Sequence, residues 1–449
     1  MTTFLKNTIK NTPIKKISIL ILGWVIMLFL NFFLTNNGYF TGVRITFPMS
    51  VVYFSEFHLE GILFSCLFLI LGLVGFFNYY KLSDLGLVIF YFGLITLGNL
   101  SQGTLHNSFL RPFLDTDFQY YHDAISIKDG LDFLKNFNNT QETLTMHAKT
   151  HPPFVVWFHF IIWEWFKSPL ILSFIFSFLS MCAVFPLIRI LEVLCVPKIN
   201  KNLIVLTFAC LPAINIYSIV SIDGIFLTFS LIFLLGIIRL IKEKSITYKN
   251  ILPIILGMTL TNALSFSGTF FWAFFFFISF YYILKHKGYF LLKAFIISII
   301  SFGTIMLTWY FFIDYNHIKA FFTASHSENP NGFMGFHQPL VYFFTRLEDI
   351  SEILLFSSFS FFALMLSINF WKTIVSKELS RVIFIALFTL LLMFATGAYG
   401  TGETARACMY IYPYLTLTLI YKKEKVVQNI FLIALLQTFA MQLIGDYFW

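Results

Sequence analysis

The chain has 449 residues, of which 58% are hydrophobic and only 12% charged, with 61 phenylalanines and a formal net charge of +8. That leaves too little polar surface to clothe a water-soluble globule of this length, which excludes a soluble enzyme or a nucleic-acid-binding module and predicts a polytopic membrane protein embedded in a lipid bilayer. No serine-rich or charge-block linker interrupts it, so residues 1–449 read as a single all-α transmembrane domain. The five cysteines, Cys66, Cys182, Cys195, Cys210 and Cys408, lie in or beside apolar runs without zinc or redox spacing, and are expected to be small buried hydrophobes.

In chain order, Lys6, Lys10, Lys15 and Lys16 precede an apolar run at 17–34. No small-residue cleavage site follows, so this run is expected to be a retained first span. Further runs long enough to cross ~30 Å of hydrocarbon lie near 57–77, 84–100, 169–188, 202–218, 222–241, 265–284, 292–313, 351–372, 381–397, 407–421 and 427–445, with a shorter one at 250–264. They predict about 13 transmembrane helices. With the N-terminus cytoplasmic, the inner segments hold 21 of the 30 Lys and Arg residues and five of the 22 acidic ones. That segregation obeys the positive-inside rule and predicts a plasma (inner) membrane protein with its C-terminus outside. It requires that 152–166 not cross, since a span there would carry Arg189, Lys198 and Lys201 outward; a short interfacial helix is expected instead.

Two sizeable outer loops result, 101–168 and 314–350, with a shorter Gly-rich one, "TGAYGTGETAR", at 396–406. In the first, residues 120–137 place Tyr121, Ile125, Leu131, Leu134 and Phe137 at helical spacing between charges, which suits a helix lying on the membrane surface. No phosphate-binding glycine motif occurs, which argues against nucleotide hydrolysis. The inner loops are short and basic, whereas acidic and aromatic residues gather outside around "DTDFQYYHD" (115–123). Chemistry is therefore expected on the outer face, where an activated donor would have to be lipid-linked.

The order of these features resembles the membrane glycosyltransferases of the GT-C superfamily, closest to the protein O-mannosyltransferase and aminoarabinose-transferase branch. The resemblance runs over roughly 100–245. It rests on Asp117, Tyr121 and Ala124, then His151-Pro152-Pro153-Phe154, then the basic "RILEVLCVPKINK", then "NIYSIVSIDGIFLTF" with Asp223. Where that family carries an Asp-Glu pair this chain has Asp117-Phe118, and two further spans precede the loop. The resemblance implies a GT-C-like bundle with outer interfacial helices, a polyprenyl-phosphate sugar donor and inverting transfer to a glycan, lipid or protein acceptor.

Such a reaction needs a carboxylate to take the acceptor proton, and cations of the chain or a divalent metal ion to meet the departing phosphate. Asp117 is the expected base, with Asp115 beside it; both also suit a helix cap. His151 is expected either to touch substrate or to position the loop, since prolines favour a helix start. Tyr121 and Asp223 are expected to line the site. Glu403 and Arg406 stand at i and i+3, so they suit a mutual ion pair, or Arg406 a phosphate oxygen; Arg346 and Lys149 are further phosphate candidates. His106, His122, His326 and His337 are too scattered for a metal signature, and no metal site is expected. A transporter or flippase of a lipid-linked saccharide, and a polysaccharide polymerase or ligase, remain as alternative readings.

Overall fold

The computed structural model describes residues 14–38, 47, 49, 58–115, 119–286, 288–375, 377, 379–399 and 404–447. Among the described residues every regular element is a helix and no strand occurs. Hydrocarbon offers backbone groups no partner, and a helix satisfies its own. Among the described residues seven helices are long and apolar enough to cross a membrane: Ile14–Asn36, Leu59–Asn78, Pro169–Val193, Ile222–Glu243, Phe266–Lys285, Phe290–Ile313 and Glu424–Ile444. Their outward faces carry bare apolar side chains such as Phe29, Leu63, Ile300 and Leu436, a surface that water would not tolerate and lipid would cover. The chain is a multi-pass helical membrane protein.

Several expected runs take a different form. The run 202–218 is broken into Lys198–Ala209 and Pro212–Tyr217, because Pro212 has no N–H to continue the ladder. The run 351–372 becomes parts of three helices, Pro339–Phe356, Phe359–Met365 and Ile368–Val375. Ser358 breaks the first from the second with φ at 82°, and the Phe359 N–H turns to Gln437 Oε1 at 2.7 Å. The run 407–421 is a series of short helical turns around Pro413. The expected surface helix at 120–137 is two, Tyr120–Ser126 and Gly130–Thr140, and the Asp129 carboxylate caps the second by accepting from the Leu131 and Asp132 N–H groups. Cys66 and Cys195 are exposed, not buried: Cys66 faces outward on Leu59–Asn78 and Cys195 occupies a turn with φ at 56°.

The helices gather into two compact units. The first comprises Met1–Thr104, Cys195–Ser218 and Phe333–Tyr447, the second Leu105–Leu194, Ile219–Gly332 and Phe448–Trp449. At the centre of the first, four buried carboxamides form a chain. Gln102 Nε2 donates to Gln442 Oε1 at 2.6 Å, Gln442 Nε2 to Asn215 Oδ1 at 2.9 Å, and Asn99 Nδ2 to the Asn215 carbonyl at 2.6 Å. Asn215 Nδ2 takes the carbonyl of Ala209, the last residue before the Pro212 break, at 2.9 Å. Buried amides cost little when they satisfy one another, so the broken helix is held by side chains that replace its lost ladder.

In the second unit Ile222–Glu243 packs along Tyr248–Leu264. The approach is close because Gly257 lies opposite Phe233: a Cβ there would sit 2.6 Å from the Phe233 backbone nitrogen. Gly257→Ala is therefore expected to destabilise the protein by ~1–3 kcal/mol. Gly303→Ala, with nothing within 4 Å of the added carbon, serves as the control. Equal melting of the two variants in detergent would show that the helices part without cost.

Candidate functional site

The second unit builds its polar constellation from residues 115–154. Asp123 accepts from the Thr145 N–H at 3.2 Å and from Thr145 Oγ1 at 2.5 Å, which fixes the start of the Met146–Lys149 turn. Burial raises its carboxyl above the ordinary range against the pull of both Thr145 bonds. His151 follows that turn. Its Nδ1 lies 2.9 Å from the His147 carbonyl, which can only accept, so Nδ1 carries the proton. The Tyr120 ring stands edge-on to His151 at 5.3 Å.

Pro152 and Pro153 then open the helix Phe154–Phe166, with Pro153 at its cap. Its 13 residues reach only ~20 Å, short of a span. Phe154 anchors the corner, with its ring 4.6 Å from Trp309 and 5.5 Å from Tyr315. The same region is knitted to the segment after Phe290–Ile313 by amides. The Asn316 N–H donates to Asn138 Oδ1 at 2.7 Å, Asn138 Nδ2 donates to the Asn316 carbonyl at 3.0 Å, and Gln141 Nε2 donates to the carbonyls of Lys149 at 2.8 Å and Ala320 at 3.0 Å. Each side-chain amide replaces backbone pairing between two segments that share no ladder.

The other expected residues of this unit fall as follows. Asp115 is exposed and ends the Arg111–Leu114 turn. Tyr121 is buried, edge-on to Trp163 at 5.6 Å, which makes its ring part of the packing. Lys149 lies in the field of Glu328, whose carboxylate also meets the Thr150 hydroxyl. Asp223 sits in the first turn of Ile222–Glu243, where its charge complements the helix dipole; its N–H donates to the capping Ser221 Oγ at 3.0 Å. Asp117 lies outside the described residues.

The first unit holds a second constellation, on the Pro339–Phe356 helix. Glu348, Asp349 and Glu352 are at most 2% exposed. Carboxylates this dry are costly unless paired. Asp349 Oδ2 pairs with Arg346 at 3.2 Å and Asp349 Oδ1 accepts from Thr404 Oγ1 at 2.6 Å, while Glu352 Oε1 accepts from the Ala405 N–H at 3.2 Å. Arg346 Nη1 donates to the carbonyls of Phe394 at 3.2 Å and Ala398 at 2.9 Å, and Nη2 to that of Tyr399 at 2.7 Å. Its guanidinium is also flanked by the Tyr342 and Phe394 rings, at 5.1 and 5.8 Å. The fork expected to meet a phosphate is thus engaged within the protein. Arg406 is half-buried on the Thr404–Ala407 turn, and Glu403 lies outside the described residues.

Burial pushes the Asp349 carboxyl up to about 7, against the opposing Arg346 charge and the Thr404 hydrogen bond. A carboxyl whose folded pKa exceeds its unfolded one favours the folded state while protonated, and that contribution is lost as pH rises from about 4 through about 7. Melting of the wild type is accordingly expected to decline over that window more steeply than that of Asp349→Asn, measured by thermal unfolding in detergent. Identical pH profiles would place the titration elsewhere.

Sequence reasoning passed over Glu348, Asp349, Glu352 and Thr404, because it took 314–350 and 396–406 as loops and 351–372 as a span. Pro339 at a helix start, followed by the apolar "LVYFF" run, was the available signal. Asp115, Tyr121, Lys149 and His151 belong to the second unit, and Arg346 and Arg406 to the segments of the first that the buried carboxylates join. No family model, curated protein or solved structure matches the chain.

Proposed function

We propose that the chain is an integral-membrane glycosyltransferase that moves a sugar from a polyprenyl-phosphate donor to an acceptor on the outer face of the plasma membrane, with inversion and with Asp117 as base. In this reading the chain crosses about 13 times, starts in the cytoplasm and ends outside. The observation that carries it is the knitting of 138–154 to 309–320 by Asn138, Gln141 and Phe154. It supports the reading by holding the His151-Pro152-Pro153-Phe154 stretch, on which the GT-C resemblance rests, against residues 309–320. Arg406 is the residue proposed to meet the lipid phosphate.

Mass spectrometry of envelope lipids and surface glycans from wild-type and deletion cells tests the activity. One missing sugar is expected, and unchanged glycans and lipids would sink the proposal. Cysteines at positions 140 and 330 are expected to react with impermeant reagents from outside, and those at 195, 245 and 424 not to. Outside labelling of Cys195 would mean that 152–166 crosses. The buried row Glu348, Asp349 and Glu352 favours one rival, a transporter of the lipid-linked saccharide, because dry ionisable groups often mark ion-coupled paths. Sugar transfer by purified protein in detergent, without any gradient, separates the two.

A further inference from the structure

Why does the Pro339–Phe356 helix bury three carboxylates and an arginine when apolar residues would pack there more cheaply? Their partners are the answer. Arg346 binds the carbonyls of Phe394, Ala398 and Tyr399, at the start of the Gly-rich outer segment. Asp349 and Glu352 bind Thr404 Oγ1 and the Ala405 N–H, at its end. One helix therefore grips both ends of 394–405. The second grip falls on the two residues immediately before Arg406, within a turn only four residues long.

We infer that Asp349 and Glu352 are positioning residues, which hold the Thr404–Ala407 turn through Thr404 and the Ala405 amide and so fix where Arg406 meets the donor phosphate. The inference rests on the proposed role of Arg406 and adds the machinery that aims it. The geometry favours this role over a merely structural one because both bonds end on the turn that carries Arg406. Arg346 grips the segment separately at its other end. Around Asp349 stand Arg346, Glu348 and Glu352 of its own helix, Tyr342 two turns back, and Thr404 and Cys408 of the facing segment. Ionised Asp349 accepts the Thr404 hydrogen bond more strongly than the neutral acid does, so the grip on the turn is tighter above neutrality.

Binding of farnesyl phosphate to the full-length protein in detergent, followed by titration calorimetry, tests the inference. Thr404→Val keeps the shape and removes the hydroxyl, and is expected to weaken binding ~10-fold; Thr404→Ser restores the donor and is expected to stay within ~2-fold of wild type. As pH falls through about 7 the wild type is expected to lose affinity relative to Asp349→Asn, whose side chain does not titrate. The probe's own titration is common to both proteins and cancels in the ratio. If Arg406→Ala loses binding while Thr404→Val binds as wild type, Asp349 and Glu352 do not position Arg406 and the phosphate reading stands. If Arg406→Ala itself binds normally, the phosphate reading fails and the positioning inference with it.

Discussion

Replacing Arg346 by alanine is expected to cost ~3–5 kcal/mol of stability, the loss typical when one partner of a buried ion pair is removed. Two separate penalties make up that figure. The carboxylate of Asp349, fully buried, loses its ion pair with Arg346 at 3.2 Å, and escapes part of the cost by taking up a proton. The carbonyls of Ala398 and Tyr399 have no such escape, since each loses its guanidinium donor, whereas that of Phe394 keeps the Tyr342 hydroxyl at 2.7 Å. The two penalties separate in the double variant Arg346→Met with Asp349→Leu. Apolar replacement relieves the charge, so the double variant is expected to recover part of the loss, and the orphaned carbonyls keep it below wild type. Arg346→Lys should fall between, because an ammonium lacks the planar fork that reaches three carbonyls and a carboxylate at once. Thermal unfolding in detergent measures all three. An Arg346→Ala protein that melts with the wild type would mean that the guanidinium holds nothing the fold needs.

That cluster also marks where sequence reading stops. Apolar run length located most of the long helices, because burying an unpaired backbone in lipid is so costly that hydrophobicity and helicity coincide. It also assigned 152–166 a short helix, from two prolines and a run too short to span that contains Glu164. What it missed depends on tertiary partners. Nothing local in Ser358 announces a φ of 82°; the break is supported by Gln437, which lies 78 residues beyond Phe359 and accepts its N–H. The Asn99–Asn215–Gln442 chain could not be read either, since each amide looks like an ordinary polar residue until its partner is beside it. Glu348 and Asp349 were misplaced in a loop for the same reason. Charge in a sequence reads as a sign of water, and only the structure supplies Arg346, Thr404 and the Ala405 N–H that let Asp349 and Glu352 go dry. For the site, the His151 corner was legible because proline states its backbone geometry in the sequence. Arg346 was legible as an important cation, but its target was not: the guanidinium faces backbone carbonyls that carry no sequence signature.

The largest expected effect on activity belongs to Asp117, and it follows from the proposed reaction together with the corner at His151. The His147 carbonyl orients the imidazole, Phe154 seats the helix start against Trp309, and Asp123 pins Thr145, so the stretch 145–154 is held by contacts independent of Asp117. Substituting Asp117 should therefore leave the fold intact and act on chemistry alone. If the acceptor is a hydroxyl, its proton must leave as the new glycosidic bond forms, and a base within ~2.6–3.2 Å, or one water away, must take it. Asp117→Asn keeps the size and removes that base, so turnover is expected to drop by roughly 100-fold or more with donor binding nearly unchanged. His151→Ala should be milder, since the ring is tied to its own backbone and to Tyr120. Normal turnover in Asp117→Asn alongside an inactive Asp115→Asn or Asp223→Asn would move the base and keep the reaction. If all three variants restore the missing sugar to deletion cells, no carboxylate among them takes a proton. That outcome points to an acceptor that is already an anion, such as a phosphate oxygen, for which the chain need only position the nucleophile and meet the charge of the departing lipid phosphate.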